Sequence, residues 1–113
     1  MQTNFSPEAF RLAEALDARK AEDILLIDVR KSTIIADTFL VCSGRSTTQV
    51  KTLADEAERR AHEIGLERLR IEGYQAGRWI VLDYGDILVH IFHQEEREFY
   101  DIERLWKDDS NSI

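Results

Sequence analysis

A chain of 113 residues with 15 Lys+Arg against 22 Asp+Glu, a formal net charge of -7, folds around one core and is too short for two. Neutralising phosphates takes a basic surface, so this balance argues against direct capture of DNA or RNA and favours a basic protein partner. Cys42 is the only cysteine, which excludes an internal disulfide and a thiolate zinc cage; with no basic-then-apolar leader and no apolar run near membrane-spanning length, the expected setting is the cytoplasm.

Ser6 and Pro7 open a helix, the serine as cap and the proline where its missing N–H costs nothing. Phe5 and Phe10 flank that cap at the spacing of a hydrophobic staple, and Ala9, Leu12, Ala13 and Leu16 recur at helical intervals. Ile24 to Ile27 reads as a buried strand. Val29 to Ala36 is polar with a short apolar patch, which predicts a turn or bulged connection. Thr38-Phe-Leu-Val-Cys42 is a second strand, rich in β-branched and aromatic residues. After Ser43-Gly44-Arg45, a capping box of Ser46 and Gln49 starts a second helix. Its stripe is Val50, Leu53, Ala54, Ala57, Ala61 and Ile64, and Gly65 closes it.

Leu69 and Ile71 alternate with charged neighbours, a third strand with one wet face. Residues 78–83 and 86–93 are two more strands around Tyr84-Gly85, read as a hairpin turn. Gln94 to Lys107 has a helical pattern, and residues 108–113 are expected to fray. The order α-β-β-α-β-β-β-α predicts an α/β (α+β) fold, a mixed sheet of about five strands with helices packed on it. Residues 1–107 form its single domain.

The hairpin WIVLDYGDILVHIF, Trp79 to Phe92, carries the chemistry. With Asp83 opposite Asp86, alternation sends Ile80, Leu82, Ile87, Val89 and Ile91 to one aliphatic face. Trp79, Val81, Asp83, Asp86, Leu88, His90 and Phe92 share the other, apolar in its middle and acidic at its rim. Exposed, such a face is a docking surface with an aromatic anchor. Covered, it is a second buried layer whose aspartates serve only the turn. A metal site is not expected, since His90 stands about 13 Å along the strand from Asp86. No Gly-x-Ser-x-Gly elbow, Walker loop or dinucleotide turn appears, and Cys42 reads as a small core residue.

Three segments in order, IADTFLVCSGRS (35–46), GRWIVLDYGDILVHIF (77–92) and EREFYDIERLW (96–106), make the chain resemble the Iojap family, the ribosomal silencing factors of bacteria and organelles. The resemblance extends over residues 8–107. It implies a nucleotidyltransferase-like topology without that chemistry and without a cofactor. It also implies binding to the large ribosomal subunit through ribosomal protein L-fourteen, with the small subunit blocked from joining under nutrient limitation or in stationary phase. The residues carried over first are Trp79 and Asp83. Asp86, His90, Tyr100, Glu103 and Trp106 also match family positions, Glu103 and Trp106 being candidates for packing the last helices, and Asp37 for holding a turn.

Two rivals stand beside this reading. A magnesium-dependent nucleotidyltransferase is suggested by Gly44-x-Ser46, but the segment Leu66 to Glu72 offers no Asp-x-Asp to hold the metal. A homo-oligomeric adaptor would use the Trp79 face as a dimer seam.

Overall fold

In the computed structural model, residues 5–102 and 110–112 are described, and they form helices and strands around one mixed sheet. Helix α1 (Pro7–Ala18) starts as its sequence dictates: Ser6 Oγ accepts the N–H of Ala9 at 3.2 Å, and the Phe5 and Phe10 rings meet edge to face at 6.1 Å. Strands β1 (Glu22–Asp28) and β2 (Thr38–Gly44) are antiparallel and joined by residues 29–37. Helix α2 (Thr47–Glu63) is capped by Ser46 Oγ, which accepts from Gln49 N–H at 3.0 Å; Gln49 Oε1 in turn accepts from Arg45 N–H at 2.7 Å. The chain leaves it through Gly65, whose φ of +82° is cheap only for glycine. Then come β3 (Arg70–Glu72), β4 (Trp79–Asp83), β5 (Ile87–His93), α3 (Gln94–Tyr100) and β6 (Ser110–Ser112).

The strand order is β3-β4-β5-β2-β1-β6, with β2 and β5 parallel and every other neighbour antiparallel. A parallel neighbour demands a long crossover, here α2, β3 and β4. The sixth strand differs from the five expected: Ser110–Ser112, in the tail expected to fray, pairs with Leu25–Ile27 of β1. Asp101 takes a left-handed φ of +50° and interrupts the expected helix after α3, and Ile102 is helical again; residues 103–109, with Glu103, Trp106 and the rest of the span expected to run to Lys107, lie outside the described residues.

Both sheet faces are apolar. Helices α1 and α2 cover the first, where Leu12, Leu16, Val50 and Leu53 meet Leu26, Leu40, Ile80, Leu82, Val89 and Ile91. Each of these ten side chains is fully buried, a contribution of about 1.5–3 kcal/mol apiece. Across the helix pair, buried Glu56 bonds Arg59 and meets Arg19 at 3.2 Å, and Arg59 holds its carboxyl below the usual range. The second face gathers Ile27, Val29, Phe39, Val41, Leu88, Phe92 and Ile102. Strand β2 is therefore buried along its whole length, which is why its sequence runs apolar without alternating. Burial also pushes the Cys42 thiol up to about 12, leaving it an inert core residue as its position suggested. No described helix is long and apolar enough to cross a membrane.

Candidate functional site

The hairpin turn sits one residue further along the chain than expected, which shifts the strand pairing by two. Asp83 pairs with Leu88, not Asp86, and Tyr84 N–H donates to Ile87 O at 2.9 Å. Gly85 and Asp86 are thus the two central residues, with Gly85 supplying the φ of +86° that this turn requires at its first position. A shift of two preserves the parity of both strands. The face assignments consequently hold: Trp79, Val81 and Asp83 of β4 lie across from Phe92, His90 and Leu88 of β5. Asp86 leaves that face and sits exposed in the turn, so the two carboxylates do not confront each other.

Coverage divides the face. Leu88 (7% exposed), His90 (6%) and Phe92 (0%) are buried, which corrects the expectation of Leu88 and His90 as docking contacts. Ile102, beyond α3, packs with Leu88 and Phe92, and the aromatic rings of Phe39 and Trp79 flank His90. The outer row stays half open: Trp79, Val81 and Asp83 alternate with fully buried Ile80 and Leu82. What remains is a strip along β4 rather than a pad across the hairpin.

Trp79 anchors that strip. Its ring stacks on Phe92 at 4.7 Å and 28° and lies against Tyr100 of α3 at 4.9 Å. Its indole N–H donates to His90 Nδ1 at 3.1 Å. Burial pushes the His90 imidazole down to about 4, so the ring is neutral at pH 7. Tyr100 is 46% exposed, and Phe99, 80% exposed, stands edge-on to it at 5.0 Å. Phe99 escaped the sequence reading, although an aromatic pair in a short acidic helix was its available signal. Ile34 and Ile35 are also exposed, far more so than their apolar patch suggested.

The aspartates have structural tasks, Asp83 through its carboxylate and Asp86 and Asp37 through the main chain. Asp83 Oδ1 accepts the Gly85 N–H at 2.9 Å, and its Oδ2 lies 3.7 Å from Arg70 Nη2. The Asp86 backbone carbonyl accepts the N–H groups of Asp37 (2.8 Å) and Thr38 (3.0 Å), tying the turn to the start of β2. Asp37 thus holds a turn through its main chain, as its position suggested; its carbonyl takes the Val29 N–H at 3.0 Å.

Helix α3 is fixed beside the strip from two sides. Arg78 Nε donates to Glu96 Oε1 at 2.9 Å, and Arg78 Nη2 donates to Glu95 Oε1 at 3.0 Å. His93 Nδ1 caps the helix by accepting the Glu95 N–H at 3.2 Å. His93, Glu95 and Glu96 bring ligand-type atoms within 4.8 Å of one another, but Arg78 and the cap already engage them. On the inner side, buried Arg97 donates to Ser43 Oγ at 2.9 Å.

The family model described as "Ribosomal silencing factor during starvation" matches residues 3–113. The chain is 43% identical to the ribosomal silencing factor RsfS of Halalkalibacterium halodurans over 102 residues, covering 89% of this chain and 87% of that protein. It is also 43% identical to the ribosomal silencing factor RsfS of Bacillus subtilis, covering 85% of this chain and 81% of that one. Its fold is similar to a crystal structure of a Chromobacterium violaceum protein at a TM-score of 0.86, with 35% identity over 88% of this chain and 83% of that one. Sequence and fold agree, and the chain belongs to the ribosomal silencing factor family.

Proposed function

We propose that this protein docks on the large ribosomal subunit through ribosomal protein L-fourteen and represses translation by standing where the small subunit must join, in the cytoplasm and under nutrient limitation. The observation that carries the reading is the half-open row Trp79–Val81–Asp83, set in the family's motif and continued by Tyr100 at 4.9 Å from Trp79. A pre-ordered aromatic anchor with an acidic end suits a basic partner protein, and a chain of net charge -7 speeds that encounter. A stable interface buries about 800 Å² on each side, wider than one row of three side chains. Phe99 and Tyr100 extend the contact accordingly. Leu88 and His90 lie beneath it and support it.

Obstruction needs occupancy and no reacting group. The nucleotidyltransferase alternative would draft Asp83 and Asp86 as metal ligands. Asp83 is already engaged by Gly85 and Arg70, and Asp86 is displaced into the turn, which disfavours it.

Purified protein is titrated into equal amounts of large and small subunits, and joining is followed by light scattering beside co-sedimentation with each subunit alone. Inhibition should track occupancy of the large subunit, and Trp79→Ala should weaken both together. Binding without inhibition, or preference for the small subunit, overturns the proposal. A homodimer seamed on this strip would instead be lost in Trp79→Ala with ribosome binding intact.

A further inference from the structure

The Trp79–His90 pair poses a question of proton placement. An indole N–H can only donate, so His90 Nδ1 must be the acceptor at 3.1 Å. A neutral imidazole carries one proton, which then sits on Nε2. That Nε2 is buried and, among the described residues, has no hydrogen-bond partner. An unsatisfied buried donor is a cost to the fold, and a phenyl or isobutyl group at the same place would escape it. The neighbours offer rings rather than acceptors: Phe39 lies 4.7 Å away and Phe92 6.2 Å.

A residue that is unfavourable in its own surroundings has its justification elsewhere, and the one polar bond its side chain makes among the described residues goes to the docking anchor. Without it Trp79, partly exposed at the edge of the rings, keeps its stacking on Phe92 and its tilted contact with Tyr100 but no hydrogen bond to fix it. Stacking tolerates rotation of the indole; a hydrogen bond to its N–H does not. We propose that His90 is a positioning residue for ribosome docking: it accepts the Trp79 indole N–H, fixes the orientation in which the ring is presented, and does so at the expense of its own unpartnered Nε2–H. This rests on the docking strip proposed above. A corollary is that the partner meets the face and edge of the indole, since the N–H is already engaged.

The test uses the full chain and isolated large subunits. His90→Phe removes the acceptor along with the orphaned donor, His90→Leu does so with less bulk, and His90→Asn keeps an acceptor near the Nδ1 position. The expected result is that His90→Phe or His90→Leu melts no lower than wild type yet binds large subunits roughly five- to tenfold more weakly. In NMR spectra the Trp79 indole N–H, assigned by its absence in Trp79→Phe, should exchange with solvent faster in these variants. His90→Asn should recover most of the affinity and the slow exchange. In a Trp79→Phe background, His90→Phe should add no further loss, because the two substitutions interrupt one interaction. Wild-type binding by His90→Phe and His90→Leu overturns the proposal while leaving the docking strip intact, as does a loss that persists in the Trp79→Phe background. Wild-type binding by Trp79→Ala overturns the docking strip itself, and this role with it.

Discussion

Arg97 Nη1 donates to Ser43 Oγ at 2.9 Å inside the seam between α3 and β2, and the same nitrogen reaches the Glu22 carbonyl oxygen at 3.4 Å. Arg97 is 7% exposed, so one buried cation joins a helix carrying Tyr100 to the two strands behind it. Arg97→Met keeps much of the packing but strands the hydroxyl and removes charge-assisted bonds, at about 2–3 kcal/mol. Urea unfolding should show that loss. Trp79 emission should shift to longer wavelength below the midpoint as Tyr100 lifts from the indole. A variant as stable as wild type would mean that α3 is held by Arg78 alone.

His90 makes stability depend on pH in a specific window. The unfolded imidazole takes up a proton near 6.5, the folded one only near about 4, because burial disfavours its charge. Between those values the unfolded chain holds more protons, so stability is full above the unfolded value and falls as the pH is lowered. The loss should reach about 3 kcal/mol across the window, at about 1.4 kcal/mol per unit. Asp28 and Glu56, held low by Arg30 and Arg59, add their own losses only below about pH 5, as the pH falls through their unfolded values. Thermal melts between pH 7 and 5 should slope for wild type and run nearly flat for His90→Phe; parallel slopes would contradict this account.

Asp83 separates turn chemistry from docking charge. Asp83→Asn keeps an oxygen for the Gly85 N–H, and the Arg70 contact it weakens, 3.7 Å long with Arg70 65% exposed, contributes little. Stability should stay within about 0.5 kcal/mol. Association with large subunits should slow and lose part of its salt dependence. Asp83→Ala, which also uncaps the turn, should cost about 1 kcal/mol more. Stopped-flow association across a salt series makes the comparison.

Two glycines with similar backbone should respond differently to alanine. Gly65 has φ +82° with nothing within 4 Å of an added Cβ, so Gly65→Ala should cost only the left-handed strain, about 1–2 kcal/mol. Gly73 has φ +80°, and a Cβ there would run into the carbonyl oxygen of Trp79. Gly73→Ala should therefore cost well over about 2 kcal/mol and displace the start of β4, weakening docking as well. Equal losses in urea unfolding would show that the loop before Trp79 yields.

The legible parts of the sequence were those with local causes. Ser6-Pro7, the Ser46–Gln49 box and Gly65 marked helix ends because caps act over three or four residues. The hairpin faces were legible because parity survives a register shift of two, whereas the turn itself was not. Deciding between Tyr84-Gly85 and Gly85-Asp86 needed the link from Asp86 to Asp37 and Thr38, which joins distant parts of the chain. Leu69 was expected to alternate with Ile71 in a strand; it lies outside β3, 63% exposed, while Ile71 packs on the core. Coverage of the second face was the hardest. The pattern Trp79-x-Val81-x-Asp83 with Leu88-x-His90-x-Phe92 is the same whether a helix lies over it or a ribosomal protein does. Here Leu88 and His90 are covered and Trp79 is half open, a division set by where α3 leaves the sheet.

The two hydrogen bonds that the Asp37 and Thr38 N–H groups donate to the one Asp86 carbonyl turn the hairpin tip and the adjoining strand into a single stiff corner. A blocker that could flex there would let an arriving subunit push it aside without first dislodging it. On the proposed reading, a corner so braced passes a collision to the whole body, and joining then requires evicting it.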